Sequence, residues 1–316
     1  MAVLLCAITG KHIAMKGKIM TIKEFSGNMK QAVSMELGSG YKVEEVSVDK
    51  NNGVTLEALL IKKEGLNLSP TIYLNSYYEK HLGGENLHDV AGRMVRDYRS
   101  ALPEEGIDIS FFLDYEQVKE RLAFKLISSE LNTELLNTVP HVPFLDLEIT
   151  FYYSVETDGM DGGSILIRNT HMESWGVGTG DLMRDSLENA PRILPGICRD
   201  IFGVMERMCP EKADTLTDDM KDLGLYVISN ERLTLGAAVM IYPGMMEKVS
   251  DMLGGNIYII PSSIHELIAL SAKTEADPEY LRDMIRLVNR TQLMPQDVLS
   301  DSLYFFDRET GKITIA

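Results

Sequence analysis

The chain has one Trp, three Cys and six His among 316 residues, and it is short of bases. Each scarcity excludes something. Cys6, Cys198 and Cys209 are odd in number and follow no CxxC spacing, which argues against a disulfide scaffold and for reduced thiols. His12, His81, His88, His141, His171 and His265 are scattered, without H-E-x-x-H or a close Cys/His set, so no metal site is expected. The Asp158–Asp161 turn lacks the ligand spacing of a calcium loop. No apolar run is long enough to cross a bilayer. Lys plus Arg number 31 against 47 Asp plus Glu, a net charge of −16. Nucleic acid and anionic membranes attract clustered bases, so direct binding to either is not expected. No Gly-rich fingerprint follows a strand and no G-x-S-x-G elbow occurs, so no cofactor is expected either.

What is present is an ordinary globular composition, 45% apolar and 25% charged. The charge is uneven. Residues 1–20 carry Lys11, Lys16 and Lys18 and no acid, whereas residues 141–316 hold most of the negative excess. The apolar run Ala2–Ile8 has no basic segment before it, and Leu5 stands where a signal for cleavage beside Cys6 needs a small residue. The expectation is a cytoplasmic protein whose residues 1–19 are a disordered or mis-called extension. Met20 is the favoured start, with Met1 and Met15 as alternatives. Thr21 and Glu24 fit a capping box, with Met20 and Phe25 at the flanking apolar positions.

Beyond it, Phe25, Met29, Ala32 and Val33 recur at helical spacing up to Gly38. Tyr41–Val48 and Val54–Ile61 read as strands joined by the Asn51-Asn52-Gly53 turn, and Thr71–Leu74 as a third. Leu87–Ala101 reads as a helix, and Pro103–Asp108 as a hinge. Leu122–Ser128 reads as a strand, Pro140-His141-Val142-Pro143 as a rigid connection, and Phe144–Val155 as the longest β signal. A turn at Asp158–Gly163 returns the chain through Ser164–Arg168. Helices are expected at Asp181–Asn189 and Gly196–Met208, with Asn189–Pro195 linking them. Leu225–Ser229 and Ala237–Tyr242 read as a strand pair, Met245–Leu253 as a helix, and Asn256–Ile260 and Ile264–Leu270 as strand or turn. Asp277 and Pro278 open a helix with Leu281, Met284, Ile285 and Val288 on one stripe. Leu303–Asp307 and Lys312–Ile315 read as a hairpin. Recurring hairpins without regular βαβ units point to an α+β fold with mixed or antiparallel sheets and packed helices, in two subdomains spanning 20–105 and 106–316.

The most suggestive chemistry lies in Pro261-Ser262-Ser263-Ile264-His265-Glu266. Two hydroxyls, an imidazole and a carboxylate within six residues could serve a hydrolase, if a serine lies in reach of the base. The competing reading is a turn whose serines bond the local backbone. His171 and Trp175, four apart, would stack on one helix face, as part of a core or as a ligand platform. Arg192 could pair with a protein acid or bind a ligand's carboxylate or phosphate. Tyr242 is a further candidate for ligand or partner contact.

Several segments together resemble one family. They are Trp175-Gly176-Val177, Glu188-Asn189-Ala190-Pro191-Arg192, Tyr226-Val227-Ile228-Ser229-Asn230, Gly236-Ala237-Ala238, Tyr242-Pro243-Gly244, Tyr258 through Glu266, and Val298-Leu299-Ser300-Asp301. From Met20 to Asp307 the chain resembles the bacterial domain-of-unknown-function family 5688, with a more distant similarity to the uncharacterised family 1444. No activity or catalytic residue is established in either, so the resemblance implies no chemistry. The leading expectation is a non-enzymatic binding protein for a protein or small-molecule partner. A hydrolase centred on Ser262, Ser263, His265 and Glu266 is the alternative, and an acidic nucleic-acid mimic the third reading.

Overall fold

A computed structural model of the chain describes residues 20–66, 69–101, 110–155, 163–201, 224–274 and 277–316. The expected leader 1–19, the Pro103–Asp108 hinge and most of the Asp158–Gly163 turn lie outside the described residues, as does the stretch expected to be helical beyond Ile201. The chain divides between Ser110 and Phe111 into two compact units.

The first unit opens on α1 (Ile22–Leu37). Thr21 Oγ1 accepts the Glu24 N–H at 3.2 Å, and Glu24 Oε2 accepts the Thr21 N–H at 2.9 Å. Two of the four donors that a helix start leaves unpaired are thereby satisfied. Phe25, Met29 and Val33 are buried one turn apart, and Gly38 ends the helix at φ +84°. β1 (Tyr41–Asp49) and β2 (Thr55–Lys63) form an antiparallel hairpin. Its turn places Asn52 and Gly53 at φ 61° and 67°, the left-handed conformation these residue types tolerate. β3 (Thr71–Tyr73) extends the sheet beside β2. α2 (Asn75–Leu82) has no counterpart in the sequence reading; only Tyr77 of it is buried, too little periodicity to recognise. α3 (Leu87–Ala101) supplies Val90, Met94, Val95 and Tyr98 to a core shared with α1 and the sheet.

The second unit holds two antiparallel sheets. In the smaller, β6 (Leu147–Ser154) pairs with β4 (Leu122–Ser128) on one edge, and with β5 (His141–Phe144) and β7 (Ser164–Leu166) on the other. Then come α4 (Asn169–Trp175), α5 (Thr179–Ile193), β8 (Gly196–Asp200), β9 (Tyr226–Asn230), α6 (Met245–Leu253), β10 (Ile257–Ser263), β11 (Glu266–Ser271), α7 (Pro278–Thr291), β12 (Tyr304–Asp307) and β13 (Lys312–Ile315). The larger sheet runs in the order β13-β12-β10-β11-β9-β8. Both its faces are covered in the middle. Ile257, Ile259, Leu267 and Ala269 join the core that also holds Phe124 and Phe151 of the smaller sheet. Their neighbours Ile260, Ile268 and Leu270 pack with Leu281 and Ile285 of α7. Alternate residues point to opposite faces, so a strand covered on both sides reads as an unbroken apolar run. The chain is an α+β protein, and every strand pairing among the described residues is antiparallel.

Five expectations are corrected. Pro140–Pro143 is no mere connection, because His141–Phe144 is an edge strand, a place where Pro143 costs no ladder hydrogen bond. Phe144–Val155 is not one strand; Leu145, at φ 57°, and Asp146 turn the chain between β5 and β6. Asn189–Pro195 is not a linker, since α5 continues through Pro191 to Ile193. Gly196 does not begin a helix but a strand paired with β9. There a Cβ would lie 3.1 Å from Met245 Sδ. Ala237–Tyr242 is no strand either: Gly236–Ile241 is a buried 3₁₀ turn, and a short apolar run looks the same in both settings.

Candidate functional site

The Pro261–Glu266 segment spans the end of β10, a two-residue turn and the start of β11, with a register shift between Pro261 and Ser263. Ser262 and Ser263 are buried. Ser262 donates to Glu266 Oε1 at 3.3 Å, and Ser263 Oγ accepts the His265 backbone N–H at 3.0 Å. Ser229 donates to the His265 carbonyl at 2.8 Å. One imidazole nitrogen is occupied by a backbone amide, and the other faces a carboxylate. Nδ1 accepts the Leu235 N–H at 3.1 Å, which puts the ring proton on Nε2, and Nε2 lies 3.6 Å from Asp297 Oδ1. Among the described residues no hydroxyl bonds to this ring. A serine nucleophile needs a base with a free nitrogen; here that nitrogen holds a backbone amide. The amide belongs to a taut loop. Leu233 and Leu235 both sit at φ 54°, which costs a branched side chain on the order of 1–2 kcal/mol. Asn230 spans the loop, donating to the Thr234 carbonyl and accepting from the Thr234 N–H. The segment thus works as an anchor for the Asn230–Gly236 loop.

The second cluster is aromatic. α4 is short, and His171 Nδ1 accepts the Arg168 N–H at its start at 3.2 Å. His171 and Trp175 share one face with ring centroids 5.8 Å apart. Phe112 stands edge-on to both, at 5.1 Å from His171 and 5.3 Å from Trp175. Tyr115 lies 5.7 Å from Trp175, while Phe111 and Phe112 meet Tyr153 of β6 at 5.1 and 6.0 Å. The indole N–H donates to the Phe112 carbonyl at 2.9 Å. All six rings are half-buried, and Leu113 beside them is 81% exposed. Burial and the Arg168 charge hold the His171 imidazole below its ordinary pKa, so it is neutral near pH 7.

A polar stripe on α5 fixes the segment that carries Phe112 and Tyr115. Asp185, Asn189 and Arg192 follow one helix face. Asp185 accepts the Tyr115 hydroxyl at 2.7 Å and the Arg184 Nε–H at 2.8 Å. Asn189 donates to the Lys119 carbonyl at 2.7 Å, and Arg192 to the Glu120 carbonyl at 2.9 Å. Arg192 also faces Glu120 Oε2 at 3.6 Å, a pairing with a protein acid. Tyr242 is buried, edge-on to Phe124 at 5.7 Å. Of the four residues considered for ligand or partner contact, His171 and Trp175 come together, while Arg192 and Tyr242 stand apart from them.

A third constellation escapes sequence reading. Asp146, in the β5–β6 turn, accepts the hydroxyls of Ser300 at 2.6 Å, Ser302 at 3.0 Å and Tyr304 at 2.8 Å. Asn289 of α7 donates to the Ser300 carbonyl and to Asp301 Oδ1. One carboxylate so ties the smaller sheet to the strand entering the larger one. Cys198 is a free thiol pushed up to about 11 by burial, which leaves it protonated and unreactive near pH 7. Among the described residues no three His, Cys, Asp or Glu side chains converge as metal ligands, and no helix is long and apolar enough to cross a membrane.

The family described as "Family of unknown function (DUF5688)" matches residues 22–308. The chain belongs to that family. The match begins with α1 and ends just past β12, so the family's extent takes in both units. No curated protein and no solved structure matches the chain.

Proposed function

We propose that this member of the family is a non-enzymatic binding protein, and that its recognition surface is the aromatic cluster of Phe111, Phe112, Tyr115, Tyr153, His171 and Trp175. The observation that carries the reading is that six half-buried rings meet at a place where Leu113 stands in solvent. Aromatic groups give much contact area for little lost conformational freedom, which is why they dominate recognition surfaces. The hydrolase alternative finds less support, because the Ser262 and Ser263 hydroxyls are bonded within the fold and His265 Nδ1 accepts the Leu235 N–H. A cytoplasmic setting belongs to the same proposal, and the free Cys198 thiol fits it; cell fractionation tests it.

The chain's single Trp makes the cluster readable. A thermal-shift screen against a metabolite library should yield ligands that raise the melting temperature and also move Trp175 emission. Trp175→Ala should abolish the shift for those ligands while leaving a cooperative melt. If every stabilising ligand acts equally on the Trp175→Ala protein, the aromatic cluster is not the recognition surface.

A further inference from the structure

The charge around the aromatic cluster is not symmetric. Arg168, at the start of α4, is exposed, and its guanidinium makes one hydrogen bond, to the Thr138 hydroxyl at 3.3 Å. Among the described residues it has no carboxylate partner, in a chain where acids outnumber bases 47 to 31. Of the acids near the cluster, Asp185 is taken by Tyr115 and Arg184, Asp181 by Arg184 at 2.9 Å, and Asp114, between Phe112 and Tyr115 in the chain, accepts the Glu116 N–H and the Gln117 side-chain amide. Glu173 lies two residues from His171, about 200° around the helix, and so faces away. His171 adds a donor. With Nδ1 accepting the Arg168 amide, the ring proton sits on Nε2. Nε2 has no hydrogen bond to the described residues and is not among the fully buried unpaired atoms, so its N–H is not sealed from solvent. Rings, a guanidinium without a carboxylate partner and an N–H without a protein acceptor around α4 suit a ligand with a flat apolar body and one negative end.

We propose that the cluster binds a small aromatic carboxylate, its ring against the Phe112–Trp175 rings and its carboxylate on Arg168 and the His171 Nε2–H. This rests on the binding reading above and adds the ligand's charge. A cationic ligand would meet Arg168 as a like charge, and a neutral one would leave the guanidinium unused.

Three one-ring probes of similar size separate the cases: phenylacetate, 2-phenylethanol and 2-phenylethylammonium, each titrated against Trp175 emission in the full chain. Phenylacetate should give a saturable change, and each of the other two should bind at least about tenfold more weakly, the scale of a charge-assisted hydrogen bond. Arg168→Gln should weaken phenylacetate by about the same factor without changing the emission of the free protein. If the alcohol or the ammonium binds as tightly as the acid, or if Arg168→Gln leaves phenylacetate affinity unchanged, the carboxylate inference fails and the platform reading stands. If none of the three produces a saturable response, the platform reading fails and the inference falls with it.

Discussion

Asp146 accepts three hydroxyl hydrogen bonds from a segment more than 150 residues away in the chain. Hydrogen bonds to a charged acceptor are worth more than neutral ones, and a buried hydroxyl that loses its acceptor retains its desolvation cost. Tyr304 is wholly buried, so its hydroxyl has no water to turn to. Asp146→Asn offers a single acceptor oxygen and two unwanted donors, and is expected to cost about 2 kcal/mol, against about 1 kcal/mol for Ser302→Ala. Urea denaturation of both variants checks the order; equal effects would mean that Asp146 acts only through its neighbours. Gly236 makes a different demand. A Cβ there would stand 2.1 Å from Ser229 Oγ, 2.5 Å from the His265 carbonyl oxygen and 2.8 Å from the Asn230 nitrogen. Two of these are backbone atoms, so relaxation would have to move β9 or the turn that holds His265. Gly236→Ala is expected to lose about 3 kcal/mol or more. Gly176→Ala, in open space at φ 68°, should lose only about 1 kcal/mol. Thermal melts showing the two variants alike would refute the close approach. Neither constellation is visible from residue type alone, since an Asp or a Gly in sequence does not announce a partner so far along the chain.

Elements with their own start and stop signals are legible from sequence. α1, α6 and α7 run where capping residues and glycines place them. Asp277 accepts the Glu279 N–H at 3.0 Å, and Pro278 sits where its missing N–H costs nothing. The α1 cap can be measured directly. Thr21→Ala removes the acceptor for Glu24 and half of a reciprocal pair, with an expected loss of about 1 kcal/mol. Thr21→Ser should keep most of it, and hydrogen exchange in the first turn of α1 should rise in the alanine protein alone. Elements whose environment decides their form are less legible. Gly196–Asp200 is a strand because β9 offers it a partner, and Gly236–Ile241 is a 3₁₀ turn because its amides and side chains are enclosed by β9, β4 and β11. Hydrophobicity alone does not separate these outcomes. The Pro191 case is similar: proline disfavours a helix interior, yet the packing of α5 on β4 carries the helix two residues past it.

At the scale of the whole molecule, pH should act through tyrosine. Tyr77, Tyr115, Tyr152, Tyr242 and Tyr304 are all held above the ordinary phenol value of 10.0, each mainly by burial. For Tyr77 and Tyr115 the neighbouring carboxylates Asp97 and Asp185 push the same way. The unfolded chain releases these protons at its lower values, so this contribution to stability is complete below about pH 10 and is lost as pH rises further. Phenolate absorbance and circular dichroism followed together should change in one transition above that pH. Phenolate appearing in full before the fold is lost would show that the hydroxyls titrate within the native protein. These groups lie in both units, so each contributes to the alkaline limit. By itself the sequence determined what acts over a few residues: the absence of familiar catalytic spacing, the helix caps, the Asn-Gly hairpin, the His171–Trp175 face and the recurring hairpins that mark an α+β protein. It also carried the family resemblance. Only the tertiary structure decided what depends on chain segments meeting. It set the two-sided burial of β10 and β11, used His265 Nδ1 to hold a loop, and drew Phe112 and Tyr115 to the helix of Trp175. The reason is one of range: capping and turn preferences act between neighbours, whereas burial and hydrogen-bond pairing depend on which distant surface arrives.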